Sequence, residues 1–556
     1  MAIIYTPTTI WKNFSTAEEP TFISAGKSED NGFITENGYV LGRNAGGERI
    51  KIFVRTVKKD TDKCPAILLF NDFGVYNDDA LLFSLAESGF FAVMVDVVGK
   101  TDKTEYFTVY PEKISYANLS SSVYGEKEIN GDVTKTCWYE WCGVAKYVLA
   151  YLNSLPTVTT IGGLGINDGA TILWHLLATE ELSCSVFVNN TGWSVYQGKS
   201  KFMPLAENGY SDGKVAFVAG IEPQSYATHV KCPTLILSCT NSHRYDVDRA
   251  HDTLTRINEN VYTAINYSIN RKTLLDKKSF DNALFFFDKF LNNKRTELPS
   301  VIDLETEEKE DEIKVEVTLN DKNLKELSLY LSEGVIETEK RCWQKYSSCD
   351  LKKKDYSFTF KPNANYGFTT WFVKAVYKNG YEICSRVCGK FFDTSRLKAP
   401  RTANLIYSSR LANFETRFAP ADEDKILSAI DAEGVLEVKT LAGPLKMQGI
   451  TCKSGVNTFS IFAEKTKPDS NALIMFDAYI KEGGMITVRL ITDYFGNKTI
   501  YSASAKVVGE EIWQNVKFSI TAFKTAEGRP LKSYDNVDAI EFYSDKEYLI
   551  NNALWV

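Results

Sequence analysis

Ile161-Gly162-Gly163-Leu164-Gly165-Ile166-Asn167-Asp168-Gly169-Ala170 is the stretch that decides how this chain is read. An apolar run leads into it and a helical pattern leaves it, so it predicts a strand, a sharp turn and a helix. In the G-x-S-x-G version of such a turn, strain lifts the central serine hydroxyl to an exposed apex. Here Gly165 and Gly169 keep the frame and Asn167 takes the centre. An amide nitrogen is delocalised into its carbonyl and cannot serve as the attacking atom of acyl transfer. The turn therefore reads as a nucleophile elbow without its nucleophile.

Around it, residues 1–297 alternate strand and helix signals. Ala66–Phe70 is a short apolar run ending in the turn Asn71-Asp72-Phe73-Gly74. Residues 80–88 predict a helix, 90–98 a buried strand, 141–152 a helix and 158–161 the strand before the elbow. Val215–Val218 and Thr234–Ser238 read as further strands, and 280–291 as the last helix. This alternation predicts a mostly parallel sheet with helices on both faces.

The texture changes near Pro299. The acidic run 305–312, ETEEKEDE, reads as a linker edge. Period-two patterning follows at 313–317, 327–331, 356–360 and 371–377, predicting an immunoglobulin-like β-sandwich over 298–396. Beyond Leu397-Lys398-Ala399-Pro400, alternating strands at 473–480, 485–491, 516–520, 539–543 and the closing residues predict a β jelly roll over 397–556.

Composition narrows the partners. The 556 residues are 44% apolar and 13% aromatic, enough for packed cores. A net charge of −7 without a basic run speaks against nucleic acid. The longest apolar stretch, 90–98, is too short to span a membrane and contains Asp96. Residues 1–7 have neither the charged nor the apolar segment of a secretory leader, which predicts a cytoplasmic protein; a secreted chain stripped of its leader would read the same. Eleven scattered cysteines favour free thiols over a disulfide framework.

Five segments resemble the acetyl-xylan-esterase and dienelactone-hydrolase branch of the α/β hydrolases. They are Asn71–Gly74, Trp138-Tyr139-Glu140-Trp141, the elbow, Thr240-Asn241-Ser242-His243, and Phe286–Leu291. The resemblance implies a triad whose nucleophile falls on Asn167, whose acid falls on Ser242 and whose histidine falls near Arg271. No histidine follows His251, so all three positions are substituted. The resemblance also implies an oxyanion-like donor pocket from Asp72, Phe73, Gly74 and the amide of Asp168, able to hold a ligand without reacting.

Other chemistries fit less well. Asp168 beside the apex reads as a first-turn residue favoured by the helix dipole, not as an ester-forming nucleophile. His243 and His251, with Asp246 and Asp248 between them, do not match a paired-ligand spacing. His175 reads as a satisfied core or interface residue, and His229 lies on a polar approach to a strand. Cys342, Cys349, Cys384 and Cys388 have spacings unlike a zinc ribbon, with Cys384 and Cys388 on one strand face. No metal or other cofactor is expected.

The last region resembles a carbohydrate-binding, galactose-binding-like module, which implies sugar stacking on exposed aromatics. The candidates are Tyr479, Tyr494, Phe495, Trp513 and Tyr534. Together these readings predict a catalytically degenerate, esterase-like protein that binds a glycan or a small acylated ligand. The alternatives are an active acetyl esterase using Asn167, Asp168 or His243, and a non-catalytic assembly scaffold.

Overall fold

The structure, a computed structural model, describes residues 2–16, 20–73, 75, 78–101, 105–121, 129, 131–192, 200–203, 211–294, 297–299, 301–309, 312–320, 322–353, 355–362, 367–392, 405–411, 414–421, 428, 430–463 and 466–556. Its first part is built on one sheet. The strands are β1 (Phe22–Asp30), β2 (Phe33–Ala45), β3 (Glu48–Lys59), β4 (Cys64–Phe70), β5 (Phe91–Val95), β6 (Val158–Ile166), β7 (Cys184–Val188), β8 (Thr234–Cys239) and β9 (Thr263–Ser268). They lie in the order β1-β2-β3-β5-β4-β6-β7-β8-β9. The pairs from β1 to β3, and β3 with β5, are antiparallel; every pair from β5 to β9 is parallel. This is an α/β-hydrolase-like arrangement, with the mostly parallel sheet that the alternation predicts.

Continuous apolar runs are needed where both faces are covered, and β4 shows why. Ala66, Leu68 and Phe70 face one core, which takes in α1 (Pro7–Ile10), α3 (Cys137–Ser154) and α4 (Gly169–Leu177). Ile67 and Leu69 face the other, with α2 (Asp79–Glu87) and α7 (Lys277–Leu291). Three sequence readings change here. Val215–Val218 is not a strand but the middle of α5 (Asp212–Gly220), whose N-cap Ser211 accepts from the Lys214 N–H at 3.2 Å. The strand expected over 90–98 stops at Val95, because Asp96 turns the chain by accepting the N–H groups of Val98 (3.2 Å) and Thr108 (2.6 Å). The acidic run is no linker: it belongs largely to β10 (Asp303–Lys309), paired with β11 (Glu312–Thr318).

The helix α6 (Ala250–Leu254) precedes β9, and the middle region then follows α7. It adds β12 (Leu324–Glu333), β13 (Gln344–Ser348), β14 (Tyr356–Phe360), β15 (Phe368–Tyr377), β16 (Glu382–Cys384) and β17 (Cys388–Phe391). They form a sheet β10-β11-β14 and a sheet β13-β12-β15-β16, with β17 beside β15. Inward residues Val315, Leu329, Phe358 and Val373 share the core that α2 and α7 cover. Cys384 and Cys388 fall on different strands, not on one face; eleven thiols are free. The boundary expected at 397–400 lies outside the described residues.

The last region is also two sheets over one core. One is centred on Leu473–Tyr479 and Leu549–Trp555, the other on Gly484–Thr492 and Val537–Tyr543. No helix among the described residues is long and apolar enough to cross a membrane.

Two buried titratable groups in the hydrolase-like part oppose each other with pH. Burial drives the His175 pKa down to about 3, and its Nε2 donates to Ile221 O at 2.6 Å. Burial drives the Asp96 pKa up to about 6. His175 therefore contributes stability that is complete above pH 6.5 and lost as pH falls toward 3. Asp96 contributes stability that is complete below pH 3.8 and lost as pH rises through 6. His175→Gln, which keeps a donor for Ile221, removes only the first effect. The stability difference between wild type and variant is expected to shrink by about 1.4 kcal/mol per pH unit below pH 6.5. Urea titrations from pH 7 to pH 4 measure it, and parallel curves would refute the assignment.

Candidate functional site

The elbow is built as the sequence predicts. Asn167 follows β6 with φ +49°, a left-handed conformation that asparagine tolerates better than most residues. Its N–H donates to Val188 O at 2.9 Å, and its carbonyl accepts from Asn190 Nδ2 at 2.9 Å. The flanking glycines are steric necessities. A Cβ on Gly165 would stand 2.5 Å from Ala170 Cα, and one on Gly169 would stand 2.2 Å from Asn71 O.

What sits over the apex differs from an oxyanion hole. Asn167 Nδ2 donates to Asp72 Oδ2 at 3.1 Å. Arg244 Nη1 reaches both Asp72 oxygens, at 2.7 and 2.8 Å, and lies 3.6 Å from Asp168 Oδ2. Tyr245 OH donates to Asp168 Oδ1 at 3.0 Å. Burial works against the Arg244 charge, but Asp72 and Asp168 outweigh it and hold its pKa above the ordinary value. Burial and then Asp168 push the Tyr245 phenol well up.

This cluster carries two carboxylates and one guanidinium. An oxyanion hole needs donors aimed at developing negative charge, whereas the carboxylate of Asp72 already holds that ground. The Asp72 N–H is also committed, donating to Asn71 Oδ1 at 2.8 Å. Phe73 packs its ring against Trp141 and Trp138, with centroids 4.9 and 5.7 Å away. Gly74 lies outside the described residues. Of the expected donor pocket, the Asp72 carboxylate thus meets Asn167 as an acceptor, and the Asp168 carboxylate accepts from Tyr245.

The two remaining triad positions sit on loops that hold the other regions. After β8, the Asn241 amide donates to Glu339 O (3.0 Å) and Arg341 O (2.6 Å); Ser242 is buried beside it. After β9, Asn270 exchanges hydrogen bonds with the Trp343 main chain at 2.8 and 2.9 Å. Arg271 donates to Leu436 O at 2.9 Å and pairs with Asp431 at 3.3 Å. Lys272, fully buried, reaches Tyr494 OH at 2.8 Å.

The nearby histidines and acids are likewise engaged. His243 stacks on Phe495 with centroids 5.4 Å apart. Asp248 pairs with Arg341, and Asp246 lies 3.2 Å from Arg249. His251 lies on α6 with its pKa lowered, first by burial and then by Arg386. Among the described residues no group of three or more His, Cys, Asp or Glu side chains could hold a metal ion.

The expected sugar platform is thinned. Tyr494 and Tyr534 are core residues, 4% and 1% exposed, and Tyr534 OH donates to Ala472 O at 3.0 Å. Alternation along a strand does not reveal that both rings turn inward from the ends of strands. Phe495 lies against His243. Tyr479 and Trp513 remain half-buried together, 6.1 Å between centroids. Arg244 and Tyr245 are the site residues that sequence reasoning missed, although they directly follow the quoted Thr240–His243 turn.

No protein-family model matches the sequence, and no curated protein does. Among solved structures, the chain is similar to an acetyl xylan esterase from Paenibacillus sp. R4, at 12% identity over 49% of this chain and 89% of that one, with a TM-score of 0.36. It is similar to acetyl xylan esterase 1 from Thermoanaerobacterium sp. JW/SL YS485, at 14% identity over 45% and 81%, TM-score 0.31. A dienelactone hydrolase described from Klebsiella pneumoniae subsp. pneumoniae MGH 78578 shares 15% over 43% and 85%, TM-score 0.29. At this level of likeness, the strand order and the elbow of the chain itself are what bear on its fold.

Proposed function

We propose that this chain is a non-hydrolytic, esterase-like protein that binds a glycan or a small acylated ligand. In this reading the middle region is an immunoglobulin-like sandwich and the last a carbohydrate-binding jelly roll. The observation that carries it is the Asn167 amide at the elbow apex, bonded to the Asp72 carboxylate that Arg244 holds in place. An amide cannot open an ester, and a carboxylate at the apex repels the anion that ester cleavage creates.

Hydrolysis of p-nitrophenyl acetate and acetylated xylan tests it, with wild type, Asn167→Ala and Asn167→Ser compared. All three are expected to stay far below about 1 turnover per second, the low end of ordinary enzymes. Asn167→Ser gains a hydroxyl but no base to deprotonate it. Residual acceleration of about 10³–10⁴ over water is compatible with binding alone. Saturable turnover above that range, abolished in Asn167→Ala, would sink the proposal.

A further inference from the structure

Strand periodicity places a second site away from the elbow. On β12 and β15 the residues Leu327, Leu329, Leu331, Val373 and Ala375 point into the core. Glu326, Ser328, Tyr330, Lys374 and Val376 therefore share the opposite face. That face of a sandwich ordinarily meets water. Here it is roofed by the loop after β9, the first turn of α7 and parts of residues 416–439, which leave a cavity of about 770 Å³. Ligand pockets span about 300–1,000 Å³ and favour domain junctions.

The cavity is polar in a particular way. Its lining carries as many acids as bases, and the deepest charges are paired. Lys374 meets Glu382 at 2.5 Å, Lys345 meets Glu326 at 2.5 Å, and Arg271 meets Asp431 at 3.3 Å. Lys374 is 8% exposed and Glu382 5%. Of the three ammonium donors on Lys374, Glu382 and Tyr267 O (3.2 Å) occupy two. The Tyr330 hydroxyl has no hydrogen-bond partner among the described residues, while its ring lies parallel to Phe372 at 5.3 Å.

These features select a ligand class. A balanced lining gives no field to concentrate an ion. An ionic ligand that displaced one partner would strand the other charge in a buried place. Neutral hydroxyl groups can accept from the Lys374 ammonium and Tyr330 and donate to the carboxylates without breaking any pair. The fixed Tyr330 ring offers an apolar face for the C–H side of a sugar. A Ser328–Lys374 nucleophile–base pair is excluded, because Glu382 keeps Lys374 protonated and its pKa raised despite burial.

We propose that this three-way cleft, and neither the elbow nor the Tyr479–Trp513 pair, is a binding site for a neutral oligosaccharide. The assignment rests on the carbohydrate-binding reading above and adds its location.

Titration calorimetry of the full chain with xylotetraose, cellotetraose and mannotetraose tests it. The variants are Tyr330→Phe, Tyr330→Ala, Glu326→Gln and Trp513→Ala, each checked for wild-type thermal unfolding. At least one saccharide is expected to bind, with affinity unchanged when salt is raised roughly tenfold. Tyr330→Phe should weaken it about five- to tenfold, and Tyr330→Ala should abolish it. Glu326→Gln should weaken it about threefold, giving a second readout if a Tyr330 variant does not fold. Trp513→Ala should leave it unchanged. Binding that ignores the Tyr330 and Glu326 variants overturns the cleft and leaves the carbohydrate reading standing. Strongly salt-dependent binding overturns the neutral-ligand class. No binding of any probe overturns both this assignment and the carbohydrate reading.

Discussion

Arg341→Met is expected to cost about 3–5 kcal/mol of folding stability, and adding Asp248→Leu is expected to recover most of it. Arg341 and Asp248 have completely buried side chains, with Nη–Oδ distances of 2.6 and 2.8 Å. Ser200 Oγ donates to Asp248 at 2.7 Å, and Ile336 O accepts from Arg341 at 2.7 Å. The pair joins the hydrolase-like part to the middle region. Removing the cation alone leaves a carboxylate buried beside Asp246, whose own pKa burial and Asp248 already push well up. Removing both charges leaves a seam that apolar side chains can fill. Urea unfolding followed in parallel by tryptophan fluorescence and far-UV circular dichroism measures the cycle and checks that the regions unfold together. A single-variant cost below about 1 kcal/mol would place the pair among interactions of surface strength.

Four of the nine strands of the hydrolase-like sheet, β4, β5, β6 and β8, are legible in the sequence, because parallel strands covered on both faces must be written as short apolar runs. The misreadings are physical. Val215–Val218 is an apolar run too short to separate helix from strand; the Ser211 cap just upstream carries the information. The acidic run became a strand because only Leu304 and its neighbour Ile302 need to be buried, while Glu307 faces Lys314 across the ladder. A partner strand supplies that compensation, and local patterning cannot show it.

The site divides the same way. Asn167 is legible because strand, turn and helix follow one another in the chain. The Asp72–Arg244 pair is not, since 172 residues separate its members. The loops after β8 and β9 are harder still. Nothing local in the sequence marks Arg271 and Lys272 as buried, yet they are 5% and 0% exposed. Their partners Asp431 and Tyr494 come from the last region, and burial of a cation follows only when such partners exist. Arg271, at an expected triad position, thus ties its loop to the last region, which is a role the triad alignment could not reveal.

Gly169→Ala is expected to destabilise the chain by about 3 kcal/mol, the upper end of ordinary overpacking. The added Cβ would lie 2.2 Å from Asn71 O and 2.6 Å from Phe70 O, and main-chain oxygens cannot swing aside as side chains do. The end of β4 and the start of α4 would have to part, and Asp72, next in the chain, would move with them. The Asn167–Asp72 bond and the Arg244 pair would loosen as a consequence. Gly26→Ala is the control. It lies on the exposed β1 with nothing within 4 Å of the added carbon, and should fall within about 0.5 kcal/mol of wild type. Urea midpoints for both variants decide the matter; equal costs would mean that α4 does not need its close approach to β4. The contact that makes Gly169 necessary involves main-chain atoms of Phe70 and Asn71, not the side chain at the apex. Packing alone therefore requires the glycine frame, which is why the elbow can stand with Asn167 at its centre.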